Sequence, residues 1–567
     1  MTTRRDILAG APTLAALAAA ATLAQRAEAQ TGTPSQNIDP QQESLRGGAE
    51  GVRTPEVHGA RGDGFADDTD AIEAWLRDPA APKVAPPSRI YRLTRALDLL
   101  DAAPFDADFS GSVLRLEHRE AINGDNTAVY GLYLPARHVL RHVTIEGLGL
   151  EAMQSGVLTD KGSGHVLWHD VWFRDLQRRA FHVQTDAFIG EGFIRVTDCQ
   201  TFPGPVPENY DLGAGRFQSA NFTIEKLWGE GGTKRCFAFG DPTRNKERRD
   251  ESGFVAHVYV PYWETLGHSG QALYCNFTNN ITFGRVDVLD YHCDVSSNAV
   301  YFSRDCRDIA VLSAHVSARG HPLATALNIG GGKRIRVANA YLRSEGRVLR
   351  LEGHRGGYQA DDVTVEGVFH CDVPEGVTLT EPPILLRNNT LRSGPDRDLR
   401  DATIRGRLVL TGRGTIVPPS DASEHSAKGC FLMVDSCTGT VLLDGIEMDT
   451  GGRGDVIPIG VGSTGSVARV IVRNMRMRTG DRFCLAAWKG EVLVQGGSTE
   501  QAAHEGDVRS VIWAPRNTEA VYRIQGFDAG ARGIVLTNGS GHVIVGCIAS
   551  EVAVPPDGMA TANATLR

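Results

Sequence analysis

The sequence predicts an all-β chain wound as a parallel β-helix, a solenoid of stacked coils, with one helix closing its N-terminal end. Three observations carry that expectation. Short stretches of apolar residues alternating with period two recur at a nearly constant spacing. Glycine makes up 64 of the 567 residues, well above the usual share of about 7%, so turns are abundant. Helical periodicity is confined to one short stretch near residue 70.

The recurring stretches are Val143 to Leu148, Ile194 to Val196, Phe222 to Leu227, Ile281 to Val286, Ile309 to Val311, Ile335 to Val337, Val363 to Val368, Val441 to Ile446, Val470 to Met475 and Val543 to Ile548. Their starts at 194 and 222, 281 and 309, and 335 and 363 lie 28 residues apart, and 309 to 335 is 26. A strand of this length cannot bury its own apolar face, so successive coils must stack. Wider spacing after 363 implies loops near 374–400 and 411–437. A β-sandwich would need hairpin dipeptides at short intervals, and these are scarce.

The single helix follows Val57-His58-Gly59-Ala60-Arg61-Gly62-Asp63-Gly64-Phe65-Ala66-Asp67-Asp68-Thr69-Asp70-Ala71-Ile72. Asp67, Asp68 or Thr69 can accept the free N–H groups at its start, and acidic residues suit the positive end of its dipole. Ala71, Ile72, Trp75 and Leu76 form one apolar stripe, and Asp78-Pro79 ends it. Clustered aspartates suggest a metal site, but capping and turn formation account for them. The pattern G-x-x-G-D-G-x-x-D-D-T-x-A-I resembles the entry motif of the pectate-lyase superfamily, which includes rhamnogalacturonase- and epimerase-like proteins and phage tailspikes. That resemblance implies a right-handed parallel β-helix plugged by the helix, and a polysaccharide substrate. It implies no catalytic residue.

The chain divides into a Tat-type signal peptide at 1–29, a flexible linker at 30–50, a capping segment at 51–110, the β-helix at 111–555 and a tail at 556–567. Arg4-Arg5, an apolar run to about Ala24 and Ala27-Glu28-Ala29 are the export signals, so the expected destination is the periplasm or the exterior. No other stretch is apolar enough to insert stably in a membrane. Asp and Glu outnumber Lys and Arg by 68 to 59, for a net charge of -9, which argues against a nucleic-acid partner. None of the ten cysteines forms a C-x-x-C pair, so thiolate metal binding is not expected. Buried free thiols are the expectation, with Cys430 and Cys437 the one pair close enough to suspect of bonding.

With the first apolar residue of each coil as position 0, positions 0, 2 and 5 point inward and position 6 outward. Trp228, Asp287, His315, Tyr341 and Phe369 then form an outward column, suited to stacking sugar rings and fixing their hydroxyls. The same coils carry Glu264, Asp290, His292, Arg319 and Arg343, and also His268, His321, His354 and Arg355. Two chemistries fit. A glycosidase uses two carboxylates, supplied by Asp287 and Asp290 or by one of them with Glu264. A lyase or epimerase acting on a uronic acid needs a base and a cation on the substrate carboxylate. There His315 or His292 serves as base, with Arg319 or Arg343 as cation. The candidate catalytic set is therefore Asp287, His315, Asp290 and His292, and the binding set Trp228, Tyr341, Arg319, Arg343 and Glu264. The abundance of His and Arg favours β-elimination on an acidic polysaccharide over hydrolysis or glycan binding alone. The Asn-Thr-Asp of polygalacturonases and the Asp-Pro-His of alginate epimerases are absent. No organic cofactor or resident metal is called for, and calcium is the one cation left open. Arg453-Gly454-Asp455 carries no weight as an adhesion tripeptide, and Asp241 to Glu251 reads as a solvated charged loop.

Overall fold

A computed structural model describes residues 52–561, apart from 80–81, 119–129, 153, 201–212, 241–251, 268, 354–357, 389–397, 418–428, 451–452, 454, 463–466, 479–482, 501–510, 516–517, 531, 537, 555 and 557–558. The proposed signal peptide and linker, the charged loop, His268, His354 and Arg355 lie outside the described residues. Among the described residues the strands gather into one sheet of 21 and a second of 15, with two small two-stranded pairs. Pairing is parallel throughout, each strand meeting its counterpart in the next coil. The chain is a right-handed parallel β-helix with an N-terminal capping helix. Among the described residues no helix is long and apolar enough to cross a membrane.

Eleven strands of the larger sheet position the features below: β1 (Phe105–Leu116), β2 (His138–Glu146), β3 (His165–Arg174), β4 (Ala187–Thr197), β5 (Asn221–Glu230), β6 (Ser252–Thr265), β7 (Asn279–Cys293), β8 (Ala314–Arg319), β9 (Lys333–Ser344), β10 (Asp361–Val373) and β11 (Ala402–Gly412). Most fold over a corner, where the register shifts. A corner needs a left-handed residue, and Ser110, His142, Asp170 and Gly192 supply it in β1 to β4 with φ of 52°, 50°, 51° and 62°. Asp and His tolerate this region better than bulky or β-branched residues do.

Inward side chains make one continuous core. Trp168, Phe173, Phe181, Phe188 and Phe217 are fully buried or nearly so, and Phe217 stacks on Phe239 at 4.9 Å between centroids. All ten cysteines are buried free thiols, Cys430 and Cys437 included. Burial pushes the Cys293 thiol up to about 12, because a thiolate is poorly solvated there.

The repeat holds, with three corrections of phase. Val143 pairs with Val171, while His138 pairs with Val166. Ile194 pairs with Leu227, while Phe188 pairs with Phe222. The stretches at 143 and 194 are thus the second halves of their strands, beyond the corner, and the 28-residue step from 194 to 222 is not a coil length. In the last of the recurring stretches it is Ile544, not Val543 or Val545, that faces the core. Apolar residues on both sides of a corner, or on both faces of a short strand, look alike to a period-two search. The widening after 363 contains a small added pair, Thr378–Leu379 with Thr415–Ile416.

α1 (Thr69–Arg77) buries Ile72, Trp75 and Leu76. Trp75 meets Phe109 edge-on at 5.2 Å and donates from Nε1 to the Arg53 carbonyl at 2.8 Å, closing the first coil. Asp68 is the N-cap residue, yet its carboxylate does not cap the helix. It instead accepts the backbone N–H groups of Arg61 at 2.7 Å and Gly62 at 3.1 Å, latching the glycine loop onto the helix. Asp67 takes the capping role, accepting the Thr69 N–H at 3.1 Å. Asp63 accepts those of Phe65 and Ala66, each at 2.8 Å. Hydrogen bonds to backbone N–H groups therefore occupy Asp63, Asp67 and Asp68, in the turn, at the helix start and in the latch.

Asp68→Ala should free both loop N–H groups and destabilise this end by about 2 kcal/mol. Asp70→Ala, on the exposed side of the same helix, should stay within about 0.5 kcal/mol. Hydrogen exchange over residues 61–77 reads the difference, and equal protection in both variants would remove the latch.

Candidate functional site

Pairing aligns Trp228 with Tyr259, Tyr259 with Asp287, Asp287 with His315, and His315 with Tyr341. Four of the five residues predicted for the outward column therefore share one strip across β5 to β9, with Tyr259 between two of them. Phe369 does not join. Tyr341 pairs with Val368, and Phe369 pairs with Leu342 inside the core. The register slips between Val337 and Ala340, where β9 turns its corner against β10, so a count of six from Val363 lands on the wrong face.

The strip continues toward the N-terminus through Arg195 and Trp172. The Arg195 guanidinium lies between two indoles, 4.5 Å from the Trp172 ring and 4.1 Å from that of Trp228. The Lys226 ammonium stands 4.8 Å from the Trp228 ring and 5.0 Å from the Tyr259 ring. Cation–π attraction of this kind holds charges at fixed heights. Trp228 is thus not an open sugar platform as expected. It supports a ladder of cations, and charge is what the strip presents.

Asp287 lies beneath that ladder, only 3% exposed. Its Oδ2 lies 2.9 Å from His257 Nε2 and 2.7 Å from Arg285 Nε. Its Oδ1 is buried with no hydrogen-bond partner among the described residues. Burial pushes the carboxyl up, but the bond to His257 and the Arg285 charge outweigh it and hold the group below the usual carboxylate range. Lys226, His257 and Arg285 are themselves aligned on successive coils, and the Arg285 side chain is 61% exposed. Burial, with Arg195 nearby, lowers the Lys226 amine.

Sequence reasoning missed His257 as a partner of Asp287, and with it Lys226 and Arg285. The reason is Gly253, which opens its coil where the template asks for an apolar residue. A Cβ there would come within 2.0 Å of the Phe222 ring, so Phe222 fills the space of two coils. The missed signal was the gap of 59 residues from 222 to 281, two coils long.

The remaining predicted residues form separate groups. His292 Nδ1 lies 2.9 Å from Glu264 Oε1, and Asp290 takes a two-pronged contact from Arg319 at 2.6 and 2.9 Å. Both pairs lie toward the far ends of β6, β7 and β8. Arg343 is not with them; it donates to Asp372 at 2.7 Å. Tyr341 is 38% exposed and meets His315 edge-on at 5.1 Å. His321 accepts the Leu323 N–H at 3.0 Å on Nδ1, away from the strip. Among the described residues, one group of metal-ligating side chains comes together, on β2 and β3.

No family model and no curated protein matches the chain. Among solved structures, the A-module of mannuronan C-5 epimerase AlgE6 of Azotobacter vinelandii is similar at 10% identity, with a TM-score of 0.36, covering 89% of this chain and 99% of that one. The N-terminal fragment of gene product 12 of bacteriophage Phi29 is similar at 12% identity, with a TM-score of 0.34, covering 88% of each chain.

The depressed Asp287 carboxyl gives a signed pH effect. Its stabilisation is complete above the unfolded carboxyl value and is lost as pH falls through its own lower one. The melting temperature of the wild type should exceed that of Asp287→Asn at neutral pH, and the gap should close below about pH 4. A gap independent of pH would show that Asp287 is not held as an anion.

Proposed function

We propose that the strip binds an acidic, uronic-acid-containing polysaccharide and that His257 and Asp287 act on it by lyase-type β-elimination. The observation that carries this reading is the gathering of Arg195, Lys226 and Arg285 around the Trp228–Tyr259–Asp287 strip of an otherwise acidic chain, with a half-buried His257 held against the buried Asp287 carboxylate. A cationic surface draws an anionic polymer, and the stacked coils place Lys226 and Arg285 on either side of His257. Asp287 orients the His257 imidazole through Nε2, which leaves Nδ1 to take the proton from the carbon beside the uronate carboxylate. Lys226 and Arg285 neutralise that carboxylate as charge builds on it. The electron pair forms the new double bond, the glycosidic oxygen departs, and His315 on the other side of Asp287 supplies its proton.

The glycosidase alternative is weaker. It needs one carboxyl kept protonated, whereas Asp287 is held ionised and Asp290 is bound by Arg319. The N-terminal twin arginine supports an exported enzyme that meets its polymer outside the cytoplasm.

Full-length protein incubated with a panel of uronate and neutral polysaccharides should generate the ultraviolet absorbance of an unsaturated uronate on acidic polymers alone. His257→Ala should lower turnover about a hundredfold or more. Lys226→Ala and Arg285→Ala should chiefly raise KM, and added salt should weaken binding. New reducing ends without unsaturation would mean hydrolysis. Binding without any product would leave a glycan-binding surface.

A further inference from the structure

The geometry points to a second site on this molecule, a divalent transition-metal site built by His142, His169 and Asp170 at the corner of β2 and β3. Each of the three offers one ligand atom, and these atoms lie within 4.8 Å of one another. Both histidines are held from the far side of the ring. His142 Nδ1 lies 3.0 Å from Asp108 Oδ1, and His169 Nδ1 lies 3.2 Å from Glu191 Oε2. Carboxylates on Nδ1 fix the ring and leave Nε2 as the donor, the arrangement that supports metal-bound imidazole. The two rings meet edge-on at 5.0 Å.

His169 Nε2 lies 3.4 Å from Asp170 Oδ2. Bonds of about 2.0–2.1 Å at tetrahedral angles span an edge of about 3.4 Å, so this edge already has the right length. The other oxygen of Asp170 accepts the Phe193 N–H at 3.1 Å. Gly192 leaves room for the carboxylate, since a Cβ there would lie 2.1 Å from Asp170 Oδ1. His142 and Asp170 both adopt left-handed backbone, with φ of 50° and 51°. The two corners thus project their side chains together on adjacent coils.

Two imidazoles and one carboxylate suit Zn²⁺ or a neighbouring first-row ion and disfavour Ca²⁺, which prefers oxygen ligands. Three protein ligands leave a coordination position open. The site lies on coils before the cation ladder and uses none of its residues, so it stands or falls separately from the polysaccharide reading.

The test uses untagged full-length protein stripped with a chelator. Calorimetric titration with ZnCl₂ alone should show one site, and Co²⁺ should give the intense visible bands of a low-coordinate ion. CaCl₂ should not displace either metal. His142→Ala and His169→Ala should abolish the heat and the bands, while Asp108→Ala and Glu191→Ala should bind about tenfold or more weakly. Asp287→Asn should bind as the wild type does. Absence of a stoichiometric Zn²⁺ site in the wild type, or unchanged binding in both histidine variants, would overturn the proposal. If those variants do not fold, the wild-type Co²⁺ spectrum still decides, because an all-oxygen or six-coordinate ion gives only weak bands.

Discussion

Parallel pairing between successive coils keeps equivalent side chains about 4.8 Å apart along the axis, and every other feature of this molecule depends on that spacing. Inward positions stack into the aromatic and aliphatic core, so each coil is covered by its neighbours and not by itself. Outward positions stack as well, and a residue type that recurs at one position becomes a continuous strip. The spacing is also unforgiving. Where a strand bends over its corner the register slips, and one slipped residue exchanges a core position for a surface one.

That constraint explains how an acidic chain comes to carry a cationic strip. Arg195, Lys226 and Arg285 are scattered through 91 residues of sequence, from 195 to 285. Stacking brings Arg195 and Lys226 onto adjacent coils, with Trp172, Trp228 and Tyr259 as their supports, and Arg285 two coils further on. Repulsion among like charges at this spacing is offset partly by the aromatic faces and partly by the buried Asp287 carboxylate. Arg195 also reaches Glu230 at 3.2 Å, at the edge of the ladder. The outcome is a surface whose charge opposes that of the whole chain.

Much of the fold was legible in the residues. The glycine-aspartate loop, the short amphipathic helix and the period-two stretches are local signals, and local signals survive without coordinates. The alignment of Trp228, Asp287, His315 and Tyr341 was legible too, because between Phe222 and Ile335 the corners fall at the same count in each coil. His257 was not legible. Its coil starts on Gly253, whose missing side chain is explained only by the Phe222 ring that lies over it. The exclusion of Phe369 and the true places of Val143 and Ile194 were hidden for a related reason, since a corner changes which face a given count selects.

The sequence by itself determined that the chain is built of stacked β coils, that a helix closes its first end, and that aromatic, acidic and basic residues crowd the middle coils. Those properties follow from periodicity and composition, which neighbouring residues carry between them. Only the tertiary structure decided which cations meet which carboxylate, that Trp228 is covered by charge, and that His142, His169 and Asp170 converge. Such meetings depend on where each strand bends, and the bend is set by contacts between coils about 28 residues apart rather than by the residues at the corner alone.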